Sequence, residues 1–81
     1  MAARNKLIER LKAQPKDYEW QELRRLLGAL GYEEKQGRGS RVKFVGEGLP
    51  KINLHSPHPS PVMKHYAVKQ VCELLTEAGL I

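Results

Sequence analysis

The residues best equipped for chemistry lie in the middle of the chain. Arg38-Gly39-Ser40-Arg41-Val42-Lys43-Phe44 gathers guanidinium, hydroxyl and ammonium groups, and a short hairpin later His55-Ser56-Pro57-His58-Pro59 adds two imidazoles. Cations neutralise phosphates, and an imidazole titrating at about pH 6.5 can take a proton from a hydroxyl and return one to a leaving oxygen. These are the groups needed to hold and attack a phosphodiester. His55 and His58 are therefore the candidate proton-transfer residues, and Arg38, Ser40, Arg41, Lys43 and Lys51 the candidate phosphate contacts. Each has a plainer alternative. His-Pro pairs also terminate strands, a serine after glycine also bonds the backbone of its own turn, and cations also line any solvated strand. His65, at the start of the last apolar stripe, reads as a solvated helix residue.

A small sheet must position these groups. From Tyr32 to Leu54 the apolar period is two, with turn signals at Gly37/Gly39 and Gly46/Gly48. That predicts three antiparallel strands near Tyr32–Lys35, Arg41–Val45 and Lys51–Leu54. Alternation puts Val42 with Phe44, and Ile52 with Leu54, on one face, leaving Arg41, Lys43, Lys51 and Asn53 on the other. His55 continues onto that polar face. Prolines at alternate positions make Ser56–Pro61 a rigid extended connection that fixes the backbone around His58.

Helices supply the other layer. Leu7, Ile8 and Leu11 predict a helix from about Arg4 to Ala13, stopped by Pro15. Asp17 is the expected N-cap of a second, in which Trp20, Leu23, Leu26, Leu27 and Leu30 recur at three- and four-residue steps until Gly31. Val68, Val71, Cys72 and Leu75 mark a third, from about Met63 to Glu77, with Gly79 at its end. The order α, α, β, β, β, α is an α+β two-layer sandwich with the helices on one sheet face and the other face open. Trp20, Tyr32 and Phe44 lie in phase with aliphatic neighbours and belong to the core.

With 81 residues, one domain spanning 1–81 is expected, residues 1–15 forming an N-terminal extension helix. The net charge of +5 is unevenly spread. Residues 1–16 carry +4, residues 17–34 carry −3, residues 35–51 carry +4, and the remainder is neutral. A basic hairpin beside an acidic helix can steer a polyanion onto one face. The lone Cys72 excludes an intrachain disulfide and reads as an inert buried thiol. No Cys/His spacing suits zinc, so neither a metal nor a cofactor is expected, and a reducing cytoplasm is the expected compartment. No apolar run reaches membrane-spanning length, and the first residues lack a signal-peptide core.

The ordered set Gln14-Pro15-Lys16-Asp17, Trp20-Gln21-Glu22-Leu23-Arg24-Arg25-Leu26-Leu27, Leu30-Gly31-Tyr32, Arg38-Gly39-Ser40, the His-Pro exit, and Lys64 to Leu80 ending in Glu77-Ala78-Gly79-Leu80 resembles the HicA toxins of bacterial HicA/HicB toxin–antitoxin pairs. The resemblance covers nearly the whole chain. It implies an α-β-β-β-α fold similar to double-stranded-RNA-binding domains, metal-independent cleavage of mRNA, and neutralisation by a HicB-type antitoxin; the free chain is expected to be a monomer. Members of that family usually read Gly-Ser-His, with a catalytic histidine, where this chain reads Gly39-Ser40-Arg41. Arginine stays protonated near neutral pH, so Arg41 can clamp a phosphate or stabilise charge on a phosphorane but cannot act as a base. Proton transfer then falls to His55 or His58. The alternative is a non-catalytic RNA-binding or antitoxin-binding module that has lost the histidine.

Overall fold

A computed structural model describes residues 2–81, with side chains from residue 5 onward. Three helices, α1 (Ala2–Lys12), α2 (Trp20–Ala29) and α3 (His65–Glu77), accompany three strands, β1 (Glu33–Gln36), β2 (Arg41–Val45) and β3 (Ile52–His55). The strands form one antiparallel sheet in the order β1-β2-β3. The fold is therefore α+β with a double-stranded-RNA-binding-domain-like topology preceded by an extra helix.

The alternation in β2 decides which way the sheet faces. Val42 and Phe44 are buried while Arg41 and Lys43 are exposed, and on β3 Ile52 is buried while Asn53 and His55 are exposed. Apolar side chains cannot satisfy water, so this face closes on the helices and the basic one is left to solvent. Phe44 rests against Trp20 of α2, with ring centroids 5.8 Å apart and planes tilted by 58°. Leu23, Leu26 and Leu27 of α2 and Val68, Val71, Cys72 and Leu75 of α3 complete the same core. Tyr32 is buried too, and its hydroxyl donates to the Pro50 carbonyl at 2.7 Å, pinning the β2–β3 connection to the end of α2. Burial raises its phenol above the ordinary value.

Helix α1 is part of this core. Leu11 is fully buried, Leu7 and Ile8 pack half-buried beside it, and the helix lies against both α2 and α3. Arg10 reaches from α1 to the Glu22 carboxylate and, at 3.1 Å, to Asp17. Among the described residues, no helix is long and apolar enough to cross a membrane.

Several expected boundaries move. The N-cap of α2 is Glu19, not Asp17: Glu19 and Glu22 form a capping box in which the Glu22 carboxylate accepts the Glu19 backbone N–H at 2.8 Å. Asp17 is occupied instead by Arg10. The third helix begins at His65, two residues after the expected Met63, because the preceding segment pairs with the chain ahead of α2. Trp20 N–H donates to the Pro61 carbonyl at 2.9 Å and Met63 N–H to the Tyr18 carbonyl at 2.8 Å, around a bridge between Glu19 and Val62. Strands β1 and β3 each start one residue later than expected. Gly31, at φ 102°, ends α2 in a left-handed conformation that a side chain would strain.

Candidate nucleic-acid interface

Strand register builds the open face in rows. Arg41 on β2 stands directly opposite His55 on β3, and Lys43 stands opposite Asn53. On the other side of β2, Lys43 stands opposite Lys35 of β1. Two ammonium groups facing each other across adjacent strands repel, and the arrangement favours an anion laid over them. Lys35 is also 3.5 Å from the Glu33 carboxylate, a long contact between exposed groups that offsets little of this.

Beside these rows lies a cleft of about 500 Å³ whose walls include Arg38, Arg41, Lys43, Asn53 and His55. All five side chains are exposed. Among the described residues, Arg38, Arg41, Lys43 and Lys51 enter no ion pair, since the paired cations are Arg10, Arg24 and Lys35. Positive charge in the cleft is thus not cancelled internally, and a polyphosphate can claim it.

The turn between β1 and β2 is tied from both flanks. Gly37 N–H donates to the Arg41 carbonyl at 2.8 Å and Arg41 N–H to the Arg38 carbonyl at 3.0 Å. The Gln36 amide reaches the Gly39 carbonyl at 3.1 Å, and Gly39 supplies the positive φ of 59° that the turn needs. From the β3 side, Ser56 N–H donates to the Ser40 carbonyl at 2.7 Å. This brings the Ser40 hydroxyl to 3.2 Å from Nδ1 of His55.

Five of the seven candidate site residues therefore converge: Arg38, Arg41, Lys43 and His55 line the cleft, and Ser40 touches His55. Two stand outside it. Lys51 is exposed one residue before β3, and His58 is exposed in the proline-rich connection. His65 is exposed, with Nε2 within 3.1 Å of the Gln14 carbonyl oxygen, joining α3 to the α1–α2 connection. Sequence reasoning does not single out Lys35 and Asn53 as contacts. The alternation Glu33/Lys35 carries the signal for Lys35, but without the register nothing in the sequence says that Lys35 meets Lys43. Among the described residues, no group of three or more His, Cys, Asp or Glu side chains could hold a metal ion.

A small α+β domain of double-stranded-RNA-binding-domain topology, with a basic open sheet face, is the class that fold and cleft define. A family model described as the HicA toxin of bacterial toxin–antitoxin systems matches residues 20–80, and the chain belongs to the HicA toxin family. No curated protein and no solved structure matches it. Membership makes the chain the toxin of a toxin–antitoxin pair, from a family of ribonucleases that act on RNA and partner a HicB antitoxin. The matched span opens at Trp20, the first residue of α2, so α1 lies outside it.

Proposed function

We propose that this toxin cleaves mRNA on its open sheet face, with His55 carrying the proton transfers that the family's histidine performs at the position held here by Arg41. One observation carries the reading: Arg41 and His55 are direct cross-strand partners in the same cleft. Directly opposed residues of an antiparallel pair have Cβ atoms about 5 Å apart. An imidazole at 55 can thus serve a phosphate held beside residue 41.

The chemistry follows from the groups present. Nε2 of His55 removes the proton of a ribose 2′-hydroxyl, whose oxygen attacks the adjacent phosphorus. Arg41 stabilises the added charge on the phosphorane oxygens. The P–O5′ bond breaks, and the imidazolium returns its proton to the departing 5′-oxygen. The products are a 2′,3′-cyclic phosphate and a 5′-hydroxyl. Arg38, Lys35 and Lys43 hold phosphates in or beside the cleft, and Lys51 contacts the strand beyond it. His58 is the second candidate for proton transfer, outside the cleft. A HicB-type antitoxin would silence this site by covering Arg41 and His55 together.

The test is incubation of purified protein with RNA in EDTA, alongside the same RNA carrying a 2′-deoxyribose at the cut position. Cleavage of the first and survival of the second is the expected result. Retention of both without cleavage would make the chain an RNA-binding module instead.

A further inference from the structure

We propose that Ser40 is the positioning residue for the His55 imidazole: Nδ1–H of His55 donates to Ser40 Oγ, which leaves Nε2 as the basic nitrogen in the cleft. This rests on the reading of His55 as the proton-transfer group, and it gives Ser40 a task other than contacting phosphate. Ser40 Oγ lies 3.2 Å from Nδ1, and a hydroxyl can donate or accept at that distance. Only one sense serves the reaction. If Ser40 donated, Nε2 of the neutral ring would carry the proton and could not accept another from a 2′-hydroxyl. If Ser40 accepts, Nε2 is free in the neutral ring, and after it is protonated Nδ1–H keeps the same partner. The bond then persists through both halves of the proton cycle.

The geometry around Ser40 suits that task. Its carbonyl is held by Ser56 N–H at 2.7 Å and by the Ser56 hydroxyl at 3.3 Å, and Ser56 directly follows His55. Backbone and side-chain bonds therefore couple the same two segments and keep the Ser40 Cα–Cβ bond within reach of the ring, so that one rotamer of the hydroxyl meets Nδ1. Gln36, bonded to the carbonyls of Gly39 and Arg41, fixes the turn from its other flank.

The experiment compares the parent with Ser40→Ala and Ser40→Thr, the last retaining the hydroxyl. ¹⁵N NMR of the His55 ring near neutral pH, without substrate, reads the tautomer directly. The expected result is Nδ1–H in the parent and in Ser40→Thr, and the Nε2–H form favoured by histidine in water in Ser40→Ala. Cleavage by Ser40→Ala should then fall about tenfold in kcat with KM unchanged, a part of the ~10²–10⁴ that a positioned acid–base group supplies. An identical tautomer in the parent and Ser40→Ala overturns the proposal, as does a rise in KM alone, which is the mark of a phosphate contact. Because the ring is read without RNA, a tautomer that differs between the parent and Ser40→Ala, with a parent that cuts no RNA, removes the ribonuclease reading while upholding the Ser40–His55 coupling.

Discussion

Arg10 on α1 and Glu22 on α2 form an ion pair across the helix–helix contact, and the same Glu22 carboxylate accepts the Glu19 N–H that caps α2. One carboxylate thus starts the second helix and fastens the first to it. The Arg10 hydrogen bond is the main reason that the Glu22 carboxyl sits below its ordinary value of 4.5; partial burial opposes the shift, and the Glu19 N–H adds to it. Arg10 is held more firmly protonated in turn.

A carboxyl whose folded value is depressed adds stability that is complete above the unfolded value and disappears as pH falls through the folded one. Stability should therefore decline below about pH 4.5. Glu22→Gln, which can still accept the capping N–H, should unfold a few degrees lower at pH 7 and show a weaker decline below pH 4.5. Thermal unfolding followed by circular dichroism between pH 3 and pH 7 checks both. Parallel curves for parent and variant would remove the Arg10–Glu22 pair as a source of acid sensitivity.

Leu11 tests whether the helix outside the family match is structural. It is fully buried in the common core, so Leu11→Ala should cost about 2–4 kcal/mol, the usual loss for a buried leucine. A domain of this size has only roughly 4–12 kcal/mol to lose. Urea unfolding should show a single transition moved to lower midpoint. A loss below about 1 kcal/mol would mean that α1 is an appendage.

How much of this is legible in the sequence divides along one physical line. Strand β2 is readable to the residue because Val42 and Phe44 alternate with Arg41 and Lys43 between glycine turns. The stripe of α2 is readable because five large apolar residues recur at helical spacing. Such patterns are local. The capping of α2 is not local: Asp17 is the better N-cap by type, yet its carboxylate is drawn away by Arg10, a residue of another helix. The start of α3 is set by the pairing of residues 61–63 with residues 18–20, and no local periodicity reveals a partner so distant in the chain. The site follows the same rule. Its cations can be assigned to a face, but the pairings of Arg41 with His55 and Lys35 with Lys43 depend on register.

The row Lys35–Lys43 and the adjacent Arg41 should dominate RNA affinity through phosphates. Removing all three with alanine should weaken binding by similar factors for unrelated RNA sequences. It should also make binding less sensitive to salt, lowering the slope of log K against log salt by about 0.7 for each single-strand phosphate that is no longer neutralised. Fluorescence anisotropy between 50 and 200 mM salt measures both quantities. An unchanged slope would move RNA binding off this face.

The decisive variants concern the imidazoles. His55 shares the cleft with Arg41 and bonds Ser40, whereas His58 is exposed in the connection after β3 and does not line the cleft. His55→Ala should abolish RNA cleavage, and with it growth inhibition when the toxin is expressed without antitoxin, while RNA binding persists. Neither exposed ring supports the core, so either replacement should change stability by no more than about 0.5 kcal/mol. His58→Ala should cut RNA at nearly the parental rate. The same rate in His55→Ala, with loss only in His58→Ala, would transfer the proton-transfer role to the proline segment. Full toxicity in both single variants and in the double variant would leave Arg41, acting by electrostatic clamping alone, as the centre of the site.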